Sequence, residues 1–172
     1  EVLQACTYYA HEGKLKDVGL SASLKDINTM AVDIARQVAD EYNALVAGNI
    51  SNTWVFDPDD ASSRSKTRDQ FDAQIEYQME SGVDFFIAET IEYLGEAEIA
   101  LDAIKAAQVP AMITLGFKRD DETLDGHALE EAYKYLEDRG ADILGINCFR
   151  DPGRMMPFAR RLRKSVGCHT AT

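Results

Sequence analysis

A few residues stand where an apolar run gives way to polar positions, and these carry what chemistry the chain can do. The run "ADILGINCF" (141–149) ends in Asn147 and Cys148. A thiolate there could attack as a nucleophile or bind a metal, and the alternative is a small buried core residue. Alternation along the run groups Cys148 with Leu144 and Ile146. The run "DFFIAE" ends in Glu89, on one face with Phe85 and Ile87. A carboxylate in that setting must find a partner or shift its pKa, which suits either a substrate ammonium or a structural ion pair. In "VLQACTYYA" the polar Gln4 precedes Tyr8 and Tyr9, whose ring faces attract onium cations or pack between helix and strand. Lys118 follows "AMITLGF" and has the chemistry for a Schiff base. The three histidines lack metal-ligand spacing. "DPDD" (57–60) lacks the spaced ligands and glycine of a calcium loop. Cys168 and His169 in "CHTAT" read as a surface pair after a helix stop.

These residues need elements to hold them. Five apolar runs read as buried strands: 2–9, 44–50, 83–90, 111–117 and 143–149. Between them helical periodicity predicts Thr29–Asn43 with Asn28 as N-cap, Lys66–Ser81, Glu96–Gln108, His127–Arg139 and Met155–Val166. In the first of these, Val32, Ala35, Val38, Ala39 and Tyr42 share the apolar face. The stretch 57–65 reads as a longer βα loop. "SGVDFFIAE" and "RGADILGINC" repeat a small-residue, Asp, strand phrase. Alternating β and α implies a parallel sheet covered by helices. No Gly-rich phosphate loop follows the first strand, so an open dinucleotide-binding sheet is disfavoured. The polar residues collect at strand C-terminal ends, where (β/α)₈ TIM barrels build their sites. A complete barrel takes about 250 residues, so residues 1–172 are expected to be a single partial barrel domain of about five βα units, cut at both ends.

Composition narrows the partners. The net charge is −12 and the pI about 4.6, which repels phosphate backbones and argues against nucleic acid. No apolar run approaches the roughly 20 residues of a membrane helix. Three scattered cysteines argue against a disulfide framework and for a reducing, cytoplasmic setting.

Together, "VLQACTYYA", "DIARQVADEYNALVAGNIS", "DFFIAETIEYLGEAEIALDAIK" and "GADILGINCFRDP" resemble the homocysteine S-methyltransferases, and within them the betaine–homocysteine type. The resemblance spans nearly the whole chain and places it as the middle of the barrel, units two to six. It implies zinc held by three cysteines, with homocysteine as acceptor and a methyl-onium donor. By position, Cys148 matches one zinc cysteine. Glu89 matches the glutamate that contacts the amino-acid substrate, and Gln4 and Tyr9 match active-site positions beside donor and acceptor. Thr90 and Asn147 stand beside these as substrate-binding candidates, and Glu89 and Tyr9 are the catalytic ones. The other two zinc cysteines of the family have no counterpart here. Thr90 stands where an aromatic is expected and Phe149 where a histidine is expected. Those departures leave the donor open between betaine, which is favoured, S-methylmethionine and dimethylsulfoniopropionate. Two rivals are a Schiff-base barrel lyase using Lys118 and a non-catalytic barrel piece. A homo-oligomer is compatible with the sequence.

Overall fold

The computed structural model describes residues 1–118 and 121–172. Six strands pair in parallel in chain order: β1 (Val2–Gln4), β2 (Leu45–Ser51), β3 (Phe85–Ile91), β4 (Ala111–Leu115), β5 (Ile143–Ile146) and β6 (His169–Ala171). The helices are α1 (Glu12–Asp17), α2 (Leu24–Tyr42), α3 (Ala61–Glu80), α4 (Leu94–Ala106), α5 (Leu129–Asp138) and α6 (Pro152–Ser165). The result is five βα units and a sixth strand, a curled part of a TIM-type barrel.

The strands' two-residue period separates two cores. Val46, Ile50, Phe86, Ala88, Ile113 and Leu144 face the helices in the main cluster. Ala47, Phe85, Ile87 and the partly buried Met112 form a smaller cluster on the other, concave face. The repeated aspartates have a shared structural role. Asp84 accepts the Val46 N–H at 2.7 Å, and Asp142 accepts the Ala111 N–H at 2.8 Å. Each binds an N–H of the neighbouring strand near its start, and the Val46 bond, ahead of the Arg36 guanidinium, holds the Asp84 carboxyl below its usual range despite some burial.

Several expected boundaries differ. The first strand closes at Gln4, not Tyr9, because the chain turns at once, with the Thr7 N–H on the Ala5 carbonyl at 2.9 Å. Asn28 is not an N-cap. It lies buried inside α2, and its amide bonds the Ala10 and Leu24 carbonyls at 2.7 and 2.9 Å. Val38 and Tyr42 are exposed rather than on the buried face of α2. The loop expected over 57–65 is shorter, since Asp60 caps α3 by accepting the Ser62 N–H at 2.8 Å. "CHTAT", with His169 exposed as read and Cys168 half-buried, holds a strand that was not expected, β6, paired with β5. Glu137 receives the N–H groups of Gly167 and Cys168 just ahead of it.

Candidate functional site

Glu89 is the hub. Three amides, from β1, β2 and the turn after β5, reach its carboxylate. Gln4 Nε2 donates to Oε2 at 2.7 Å, Asn49 Nδ2 to the same oxygen at 3.0 Å, and Asn147 Nδ2 to Oε1 at 3.3 Å. Among the described residues no Lys or Arg forms an ion pair with Glu89. The β2–β3 register sets Asn49 opposite Ile87, on the concave face that Glu89 shares. A buried network holds Asn49 there: Gln78 accepts its N–H at 2.8 Å and donates to its carbonyl at 2.9 Å. Gly48 makes that possible, because a Cβ would meet the Phe86 ring at 2.5 Å and Gln78 Oε1 at 2.9 Å.

Backbone irregularity aims the next residues. β3 carries one extra residue against β4 between Ala88 and Ile91, the signature of a β-bulge. Within it Thr90 holds φ 59°, and its N–H turns to Thr114 Oγ1 at 3.2 Å. β5 stops at Ile146, and Cys148 and Phe149 both hold φ 59°. Alternation would have carried Cys148 to the helix side with Leu144 and Ile146. The left-handed turn breaks it instead, and Cys148 is exposed, with its Sγ 3.6 Å from Thr90 Oγ1 and 3.5 Å from Asn147 Nδ2. Asn147 Nδ2 also bonds Thr90 Oγ1 at 2.7 Å. Left-handed non-glycine residues cost energy and collect where a site needs them. A Cβ on Gly116 would strike the Phe149 ring at 2.5 Å, so this glycine lets the turn after β5 lie against the end of β4.

Gln4, Glu89, Thr90, Asn147 and Cys148 are thus brought together. Tyr9 is not bonded to them. It lines a cavity of 610 Å³ shared with Gln4, Tyr8, Asn49 and Glu89, and the residue is 58% exposed. Tyr9 stacks on Trp54 at 5.5 Å, and Lys14 stands 4.7 Å over the Trp54 ring and 5.8 Å over that of Tyr9. Those rings therefore already face a cation. Tyr8 meets Tyr9 edge-on at 4.8 Å and reaches Asn52 Oδ1 at 3.4 Å. Burial raises the Tyr8 phenol above its usual pKa, against a lowering bond from Thr90.

Of three further participants, Asn49 and Tyr8 carried a signal in the sequence and Trp54 did not. Asn49 shares strand parity with Ala47 and was legible as a polar break in a buried run. Tyr8 stood beside Tyr9 with nothing to separate the two. Trp54 gave no signal, because its place depends on a loop turn at φ 57°.

Two acceptors remain unused. Asn49 Oδ1 and Asn147 Oδ1 are buried with no partner among the described residues, and buried polar atoms of this kind ask for a ligand or water. Each belongs to an amide whose nitrogen bonds the Glu89 carboxylate. They do not make a zinc site. Cys148 is a single thiol, and among the described residues no group of three His, Cys, Asp or Glu side chains lies close enough to hold a metal. Lys118 does not project into the site as a free amine. It pairs with buried Glu92 at 2.7 Å and stands 5.3 Å over the Phe149 ring. No helix among the described residues is long and apolar enough to cross a membrane.

The family model described as homocysteine S-methyltransferase matches residues 1–171. Betaine–homocysteine S-methyltransferase 1 of Sus scrofa is 40% identical over 171 residues, covering 96% of this chain and 60% of that protein. Its Rattus norvegicus counterpart is 36% identical, covering 96% and 41%. The chain therefore spans 41% to 60% of the length of these relatives. The metallated homocysteine methyltransferase MmuM of Escherichia coli superposes with a TM-score of 0.72 at 23% identity, over 86% of this chain and 57% of that one. That likeness is one of fold.

Proposed function

Since the chain belongs to the homocysteine S-methyltransferase family, we propose that residues 1–172 form one domain of an enzyme that moves a methyl group from an onium donor to the sulfur of homocysteine. The observation that carries this is the Glu89 carboxylate, held by three amides and, among the described residues, without a Lys or Arg ion pair, next to two amide oxygens with no partner among those residues.

Homocysteine supplies what those oxygens lack. Its ammonium pairs with Glu89 and donates its remaining N–H groups to Asn49 Oδ1 and Asn147 Oδ1. Asn147 Nδ2 lies within 3.5 Å of both Glu89 Oε1 and Cys148 Sγ, so the amino-acid end and the Cys148 thiol belong to one connected cluster. The donor's cationic head takes the Tyr9 and Trp54 rings that Lys14 now faces. In the reaction a sulfur lone pair of the homocysteine thiolate forms the new S–CH₃ bond. The C–N or C–S bond of the donor breaks, its electron pair stays on the departing nitrogen or sulfur, and methionine is the product. Holding both partners in line accounts for the rate advantage such a site offers. Betaine is the favoured donor, with S-methylmethionine and dimethylsulfoniopropionate as alternatives.

Zinc is proposed for the whole protein only. Cys148 would contribute one thiolate, bound zinc would favour the thiolate form of homocysteine, and the other donors would come from outside the described residues. The reading is tested by incubating the full-length protein with homocysteine and each donor in turn and measuring methionine. Formation with one of them supports it. Formation with none, together with borohydride trapping of a substrate on Lys118, would replace it with the lyase reading.

A further inference from the structure

Glu96 lies in the first turn of α4 and is 1% exposed. A buried carboxylate needs bonded partners, and Glu96 takes two bonds from one residue of the loop after β2. Thr53 donates its backbone N–H and its hydroxyl to Glu96 Oε1, each at 2.7 Å. The charged groups beside Glu96 are Glu92 from the β3–α4 turn and Asp125 from the loop ahead of α5, both of like sign. Glu92 is itself paired with Lys118 at 2.7 Å, and Asp125 caps α4 through the Leu94 and Gly95 N–H groups. Burial first, then these two carboxylates, push Glu96 up to about 7 against the pull of the Thr53 bonds.

Thr53 sits between two residues that seat the mouth. On one side Asn52 takes the Tyr8 hydroxyl at 3.4 Å. On the other, Trp54 stacks on Tyr9 at 5.5 Å and on His11 at 5.3 Å. Trp54 holds φ 57°, a conformation that a bulky residue keeps only where its surroundings impose it.

We propose that Glu96 is a positioning residue for the mouth: through Thr53 it fixes the 52–54 segment and with it the seats of Tyr8 and Tyr9. The importance of those seats rests on the methyl-transfer reading, whereas the control of the segment rests on the contacts alone. An ionised Glu96 accepts both Thr53 donors as charge-assisted bonds. A protonated one accepts them more weakly and brings an O–H that needs its own acceptor, so the segment loosens as Glu96 gains its proton.

Trp54 is the chain's one tryptophan, so its emission reads this segment directly and needs no catalysis. In the wild-type chain the emission is expected to titrate with a midpoint close to pH 7. Glu96→Gln removes that transition. Thr53→Val, which deletes one bond to the ionised form, moves the midpoint up by about one unit. His11→Asn removes the imidazole that lies against the Trp54 ring and leaves the transition in place. No transition in the wild type, a transition that survives Glu96→Gln, a midpoint unmoved by Thr53→Val, or loss of the transition in His11→Asn would each overturn the proposal. If Glu96→Gln fails to fold, the Thr53→Val and His11→Asn results decide it.

Discussion

Thr90 and Cys148, 58 residues apart, both hold a φ of 59°, and the Thr90 hydroxyl stands 3.6 Å from the Cys148 sulfur. Two strand ends are bent out of their ladders so that these side chains meet at the mouth. A left-handed threonine costs about 1–2 kcal/mol relative to its right-handed form, and glycine escapes that cost. Thr90→Gly is therefore expected to be more stable than Thr90→Ala by about 1 kcal/mol in urea unfolding. Equal stability of the two variants would mean that the turn at Thr90 is not strained.

Glu89→Gln keeps the size of the side chain and removes its charge. Hydrogen bonds to charged groups are worth about 1.5–3 kcal/mol, so homocysteine affinity should fall by roughly 10- to 100-fold in calorimetric titration of the full-length protein. The donor should still bind through the aromatic rim. An unchanged homocysteine affinity would place the ammonium elsewhere.

Much of this cluster was legible in the sequence, for a physical reason. Glu89 and Asn147 interrupt apolar runs, and a polar residue at the end of a buried strand has few places to go except the mouth of a barrel. The repeated aspartates were legible too, as a phrase, although their bonds to neighbouring strands were not. What escaped were features that depend on backbone handedness. Nothing in "AETIE" announces a bulge at Thr90, and alternation assigned Cys148 to the wrong face because β5 ends two residues before it. β6 was missed because three residues, His169–Ala171, carry too little periodicity to read, and their strand is defined by pairing with β5. Val38 and Tyr42 were misassigned because Asn28, Val32, Ala35 and Ala39 already complete the buried stripe of α2.

Stability should depend on Glu96 with a definite sign. Its folded-state pKa, about 7, lies above its ordinary 4.5, so between these values the native state holds a proton that the unfolded chain has lost. Stability from this group is full below pH 4.5 and is lost as pH rises through 7, by about 3 kcal/mol. Glu96→Gln should flatten that part of the pH profile in denaturant titrations. A slope unchanged by the substitution would assign the dependence to another group.

The outer side of α2 presents Met30, Ile34, Val38 and Tyr42 to solvent, and Val2 on the edge strand β1 and its partner Leu45 at the start of β2 are exposed as well. Exposed apolar patches drive association. The 172-residue chain alone should self-associate in sedimentation velocity, with a mass average that rises with concentration, and Ile34→Glu with Val38→Lys should reduce it. A monomer at all concentrations would show that this face is stable in water.

Cys148 offers the most direct measurement: methionine formation by the full-length protein, assayed with homocysteine and its best donor, in wild type and in Cys148→Ala. The wild type is expected to form methionine. The variant should lose that activity by on the order of 100-fold or more and bind zinc correspondingly more weakly, since even supporting residues of metal sites cost 10- to 100-fold. A Cys148→Ala protein that forms methionine at the wild-type rate would contradict the assignment of this strand-end cluster as the site of methyl transfer.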